Sequence, residues 1–176
     1  MNKNQESNKT NRNTEILERK KALLTSKILL PHDGTEISDK AFDKAKEFTK
    51  VFNAELYILH VIEHIPIPPS LILGNDRQWI AQTRRSIAKK LKEGWLKLAK
   101  EKINPLLERE NIKFNITALT DEQPVSEQIL KFASDNKIEL IIVGSQRLNK
   151  ISKIKVLGSI SRKISENADC PVMIVH

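Results

Sequence analysis

The sequence lacks a disulfide framework, an apolar run of membrane length and every familiar catalytic motif. A single cysteine, Cys170, among 176 residues rules out internal disulfide pairing and suits a reducing, cytoplasmic setting. No apolar run approaches the roughly 20 residues that a membrane span requires. The opening MNKNQESNKTNRN has no apolar core of the kind a secretory signal needs. Aromatics make up only 5%, whereas nucleic-acid binders interleave them on a broad basic face, so nucleic acid is not the expected partner. G-x-S-x-G, Walker A, G-x-G-x-x-G and HExxH are all absent, which removes the obvious catalytic constellations. No cysteine or second carboxylate stands at ligand spacing beside Glu63 and His64, so no metal centre is expected.

What is present fits one soluble α/β domain. Hydrophobic residues are 39% and charged residues 30%, and the length allows an ordinary core. The net charge of +8 is unevenly placed. Residues 1–27 carry seven cations against three carboxylates, half of the excess. Residues 1–25 therefore read as a basic tail, disordered or weakly helical over Thr14–Leu24, and residues 26–176 as the folded domain.

Within that domain, buried strands alternate with helices. Lys27–Pro31 (KILLP) is a first strand, and Ser38 is the expected cap of a helix with apolar positions Ala41, Phe42, Ala45 and Phe48, ending at Asn53. Glu55–Ile62 (ELYILHVI) is a second strand, apolar as an interior parallel strand is. A proline-rich connection leads to a long helix from Asp76, with Ile80, Ile87, Leu91, Trp95, Leu98 and Leu106 expected on one stripe. Gly94 and Pro105 are the places where it would bend or stop. Its many lysines and arginines read as a solvated face. Lys113–Leu119 alternates as an edge strand, a helix starts at Pro124, and Glu139–Val143 is the fourth strand. Gly158–Asn167 is the last helix and Pro171–Val175 the last strand. Strictly alternating β and α elements with right-handed crossovers give a doubly wound parallel sheet with helices on both faces.

The stretch from Leu140 to Lys163 carries the functional signal. A buried strand runs through Gly144 into a polar connection and reaches Gly158-Ser159-Ile160-Ser161, where a helix begins. Such strand-to-helix junctions bind phosphate through unpaired N–H groups and the helix dipole. Between Gly144 and Lys163 the charged residues are Arg147, Lys150, Lys153, Lys155, Arg162 and Lys163, with no carboxylate. Asp33 ends the first strand before a glycine, where it can meet a ligand or close an Asx-turn. His60, in an apolar strand, reads as a satisfied buried side chain, and Cys170 as a structural thiol.

KILLPHDGTEIS, ELYILHVIE, ELIIVGS, LGSISRKIS and CPVMIV, in this order and spacing, resemble the universal stress protein family over residues 26–176. The resemblance implies a Rossmann-like five-stranded parallel sheet of order 3-2-1-4-5, with ligand at the switch point between the first and fourth strands. In ATP-binding members Asp33 would contact the adenosine end and Val61 would meet adenine through its backbone. The implied cofactor-binding set is Pro31, His32, Asp33, Val61, Val143, Gly144, Gln146, Arg147, Gly158, Ser159, Ile160 and Ser161. The implied cofactor is ATP, with Mg as its companion ion. Homodimers are also implied, through antiparallel pairing of the terminal strands at 171–176.

The sequence departs from the nucleotide-binding pattern G-x2-G-x9-G-[ST] twice. Arg147 replaces the second glycine, and Gly158 falls one residue late. Arg147 either folds inward to pair with a phosphate or points to solvent. Two functions follow. One is a stress-response or signalling module that binds an adenine nucleotide, acts by conformation and partner recognition, and hydrolyses ATP slowly at most. The other is a nucleotide-free dimeric interaction protein whose basic 147–155 loop contacts an acidic partner or an anionic ligand.

Overall fold

A computed structural model describes residues 26–63, 77–120, 122–145 and 157–176. The tail with its Thr14–Leu24 segment, the proline-rich connection, Gln146, Arg147 and the 147–155 loop lie outside the described residues. The elements are β1 (Lys27–Pro31), α1 (Glu36–Phe52), β2 (Glu55–Ile62), α2 (Arg77–Lys102) and α3 (Asn104–Arg109). They continue with β3 (Lys113–Thr120), α4 (Val125–Asp135), β4 (Leu140–Gly144), α5 (Ser159–Asn167) and β5 (Val172–Val175). Every strand pairing is parallel and the order is β3-β2-β1-β4-β5, as the sequence implies.

The period of two along each strand divides the core between the two faces of the sheet. Ile28, Leu30, Leu140 and Ile142 pack with Ala41, Phe42 and Ala45 of α1 and Leu107 of α3. Leu29, Ile141 and Val143 pack on the other side with Ile129 and Ala133 of α4 and Ile164 of α5. Both faces of β1 and β4 are thus sealed, which is why these strands read as continuous apolar runs.

Three local expectations are corrected. First, α1 is capped by Thr35, whose hydroxyl accepts the Ser38 N–H at 3.3 Å, rather than by Ser38. Ser38 is buried inside the first turn and donates its hydroxyl to the Thr35 carbonyl at 2.7 Å. Second, the long helix runs unbroken through Gly94 and stops at Lys102. Pro105 then opens α3, a position where its missing N–H removes no helical bond. Third, that break takes Leu106 off the α2 stripe, leaving it 45% exposed, while Leu107 enters the core. Asn53 ends α1 as expected, in the left-handed conformation at φ 51°.

Gly144 is fixed by packing rather than by loop freedom. A Cβ there would lie 2.7 Å from Ile37 Cγ2 and 2.8 Å from the Ile37 carbonyl oxygen. The first turn of α1 therefore rests directly on the backbone of β4. Gly94 has open space around it in the middle of α2. Gly144→Ala should destabilise the protein by about 1–3 kcal/mol, because the backbone of Ile37 must move. Gly94→Ala should stabilise it by up to about 1 kcal/mol through helix propensity. Urea denaturation of both variants beside the wild type measures the contrast.

Candidate functional site

The cleft originates in how the strands part. β1 stays paired with β2 as far as Pro31 opposite Leu59, and β4 stays paired with β5 as far as Gly144 opposite Val175. Between β1 and β4 the register holds only Ile28 to Leu140 and Leu29 to Ile141. Past those pairs each strand follows its outer neighbour. His32 N–H donates to the Leu59 carbonyl at 2.9 Å, and Ser145 N–H to the Val175 carbonyl at 2.8 Å. A cleft of about 320 Å³ opens where the two carboxyl ends separate.

The structure brings ten of the twelve expected residues to this cleft. They are Pro31, His32, Asp33, Val61, Val143, Gly144, Gly158, Ser159, Ile160 and Ser161. Gln146 and Arg147 fall outside the described residues. Sequence reasoning did not select Thr35, Ile37, Ser38, Leu59, Val125, Ile129 or Ser145, which also line it. The Asp33-Gly34-Thr35 turn is a signal for Thr35, since an aspartate bonded two residues on is the usual way to hold such a turn. Leu59, Val125 and Ile129 read only as core, and nothing in their spacing separates a cleft wall from a core wall.

One lip is organised by Asp33. Its Oδ1 accepts the Thr35 N–H at 3.1 Å and the Thr35 hydroxyl at 2.7 Å. Gly34 between them has φ +84°, a conformation that glycine takes without strain. The carboxylate therefore both lines the cleft and closes the turn; the two readings of Asp33 are compatible. Partial burial pushes its carboxyl up, but bonds from the Thr35 hydroxyl and N–H and from Ser38 outweigh this and hold it below the ordinary carboxylate range. Asp33 is consequently ionised at neutral pH.

His32 borders the same lip with both ring nitrogens engaged. Its Nδ1 accepts the Gly34 N–H at 3.3 Å, which leaves the proton on Nε2, facing Asp39 Oδ1 at 3.0 Å. The ring is buried and meets Phe42 edge-on. It is a packed neighbour of the cleft more than a free ligand group. His60, expected to be satisfied, directs Nδ1 at the His32 carbonyl at 2.8 Å and stacks on Trp95 at 4.7 Å. Burial lowers its pKa, so the Nδ1 proton is the donor in that bond and the ring is neutral.

The other lip is a serine cluster at the amino end of α5. The buried Ser145 hydroxyl accepts the Gly158 N–H at 3.1 Å and the Ser161 hydroxyl at 2.8 Å. Ser161 also reaches the Gly158 carbonyl at 3.0 Å. Its hydroxyl thus fastens the turn, and the residue also lines the cleft. Ser159 is exposed and no side chain caps the helix. The first-turn N–H groups of α5 have no partner within the helix and adjoin the cleft. At Gly158 an added Cβ would find its nearest neighbours at 3.5 and 3.7 Å, so packing does not demand a glycine there.

Asp33 is the single carboxylate among the cleft's described lining residues. No group of three or more His, Cys, Asp or Glu suited to a metal occurs among the described residues. Cys170 is half-buried, and burial together with Asp169 pushes its thiol up, in keeping with a structural role. No helix among the described residues is long and apolar enough to cross a membrane.

Comparison with known proteins bears on this geometry. The model of the universal stress protein family matches residues 25–176. Universal stress protein YxiE of Bacillus subtilis is 34% identical over 157 residues, covering 86% of this chain and 99% of its own. The solved structure of MJ0577, from Methanocaldococcus jannaschii, superposes with a TM-score of 0.67 at 26% identity, over 86% of this chain and 96% of that one. A universal stress protein of Archaeoglobus fulgidus, solved in complex with dAMP, shares the fold with a TM-score of 0.52 at 15% identity, over 87% and 99%.

The Asp33–Thr35 pair has a pH signature. A carboxyl held below its unfolded value adds stability above the unfolded pKa, and this is lost as pH falls through the folded value. Thr35→Val removes both the helix cap and the hydroxyl donor to Asp33, leaving the backbone N–H bond in place. It should cost about 1 kcal/mol from the cap at every pH, with an additional loss at pH 7 that shrinks at an acidic pH below the ordinary carboxylate range. Denaturant titrations at the two pH values, with the Asp33 carboxyl followed by NMR, check the prediction.

Proposed function

The chain belongs to the universal stress protein family, and on that premise we propose that it binds an adenine nucleotide, ATP, in the cleft between β1 and β4. The observation that carries this reading is the parting of β1 and β4 over the uncapped amino end of α5, with Asp33 alone on the opposite lip. An ionised carboxylate repels phosphate and accepts from neutral donors, so Asp33 takes the ribose hydroxyls or another donor of the adenosine end. The phosphates lie toward α5, where the N–H groups of its first turn and the Ser159 hydroxyl are available. Leu59, Val61, Val125 and Ile129 provide an apolar wall for the base, with Val61 offering its backbone. The fold neighbour solved with dAMP supports an adenine nucleotide as the ligand class.

The donor set suits a nucleotide-held Mg2+ rather than a protein-held one. With one carboxylate on the cleft, the ion would be carried by the phosphates and water. The same scarcity of acid–base groups argues for output by conformation and partner recognition, with ATP turnover slow at most. We further read β5 as the homodimer strand. It is an edge of the sheet with its outer side unpaired among the described residues, a template for antiparallel pairing with a second copy.

Two measurements test these readings. Isothermal titration with Mg-ATP should give saturable binding in the wild type and at least about a tenfold loss in Asp33→Ala, the usual effect of deleting a charge-assisted hydrogen bond. Gly158→Ala should fold with wild-type stability, since packing leaves room for the methyl, yet bind more weakly because that methyl enters the ligand's space. No saturation at millimolar nucleotide would reject the proposal and leave the nucleotide-free interaction reading. Separately, sedimentation velocity should return twice the chain mass of 20.1 kDa; a monomer at all concentrations removes the β5 dimer.

A further inference from the structure

α2 carries an apolar seam that the sheet does not cover. Ile80, Ile87, Leu91 and Leu98 fall in one a/d heptad register, with Arg84 and Gly94 at the remaining places. Ile87, Leu91 and Leu98 are 38%, 47% and 48% exposed. The helix meets the body instead through Ala99, 3% exposed, and through Trp95, which packs on the core and on His60. A core-facing helix needs a broad stripe, whereas a strict a/d line is the narrower seam that a second helix fills. From Ile80 to Leu98 the seam runs about 27 Å, five turns.

Beside the seam is a groove of about 570 Å³ lined by His60, Ile62, Leu91, Gly94, Trp95 and Leu98. The missing side chain at Gly94 opens onto free space, as a hole for an incoming knob does. The charges around it are mostly cationic. On this helix Arg84, Arg85, Lys89, Lys90, Lys92, Lys97, Lys100 and Lys102 stand against Glu93 and Glu101, while Glu63 lines the groove beside Lys90. The Lys89–Glu93 contact, at 3.9 Å, is exposed and weak. Lys90 and Lys97 are exposed and occupy successive g positions, where coiled coils select partners by charge.

These features discriminate between occupants. A second copy of α2 would set lysine against lysine. A bilayer offers a flat surface, whereas Leu91 and Leu98 border a concavity that Lys90 also lines. We propose that the α2 seam is the docking site of an amphipathic helix from another protein, with apolar residues inserted along Ile87, Leu91 and Leu98 and Asp or Glu facing Lys90 and Lys97. This surface shares Val61 with the cleft between β1 and β4 but otherwise has its own lining, and its existence does not depend on the cleft being filled.

The test uses the full chain and a synthetic peptide of about three heptads with leucine at a and d and glutamate at e and g. Anisotropy of the labelled peptide should show saturable binding that weakens with salt, and the same peptide with lysine at e and g should not bind. Lys90→Glu/Lys97→Glu, at exposed sites, should weaken the glutamate peptide by about tenfold or more and admit the lysine peptide. Leu91→Asp should abolish both. The inference fails if the glutamate peptide does not saturate, or if it binds the charge-reversed variant equally well. It also fails if the protein ignores the peptide but sediments with vesicles of mixed neutral and anionic phospholipid. A solution mass that falls in Leu91→Asp would place a second copy on the seam and equally overturn it.

Discussion

The short pairing between β1 and β4 governs everything functional in this molecule. Two register pairs, Ile28 with Leu140 and Leu29 with Ile141, hold the halves of the sheet together at their buried base. Above them the hydrogen-bonding groups of each strand are taken by the outer neighbours. Backbone groups cannot be left unpaired in a core, so the strands can separate only where those neighbours or the cleft satisfy them. Parallel order makes this possible, because β1 is followed in the chain by β2 on one side of the switch point and β4 by β5 on the other.

Both lips are then held by bonds that belong to the fold. Asp33 is aimed by Thr35, and Thr35 is aimed because its hydroxyl also accepts the Ser38 N–H. The first turn of α1 and the carboxylate are one hydrogen-bonded unit, and Ile37 in that turn presses on Gly144 of the opposite strand. On the far lip Ser145 gathers Gly158 and Ser161. The two glycines therefore answer different demands. Gly144 is required by the contact between α1 and β4, whereas at Gly158 the described neighbours leave space for a side chain.

Much of this was legible from residue order, and the reasons for the failures are physical. Buried runs such as Ile28–Leu30 and Leu140–Val143 announce parallel interior strands because both faces are covered, and alternation with helices sets the topology class. The order 3-2-1-4-5 and the cleft residues came from the resemblance, since periodicity does not say which strands are neighbours. Ser38 was misread because a serine near a helix start looks like a cap; the aspartate two residues before Thr35 is what fixes the true one. The fastening role of Ser161 was not legible, because its partner Ser145 lies 16 positions away in sequence. The α2 stripe was legible as one apolar face, but its spacing does not say whether the sheet covers it until the neighbours are known.

The cleft and the α2 groove share Val61 as a lining residue and are bridged by the side chain of His60. His60 donates from Nδ1 to the carbonyl of His32, the residue before Asp33, and its ring stacks on Trp95 in the floor of the α2 groove. A helix that pressed on Trp95 would load the ring that fixes the backbone preceding Asp33, and a ligand drawing on Asp33 would load the same bond from the other end. If the energy of that bond differs between bound and free states, the two sites are coupled, and the coupling has the same magnitude in both directions. Because His60 is neutral and its donor proton is already committed, the link is mechanical and not a proton switch. The packed imidazole of His60 thus bridges the backbone that precedes Asp33 and the indole of Trp95.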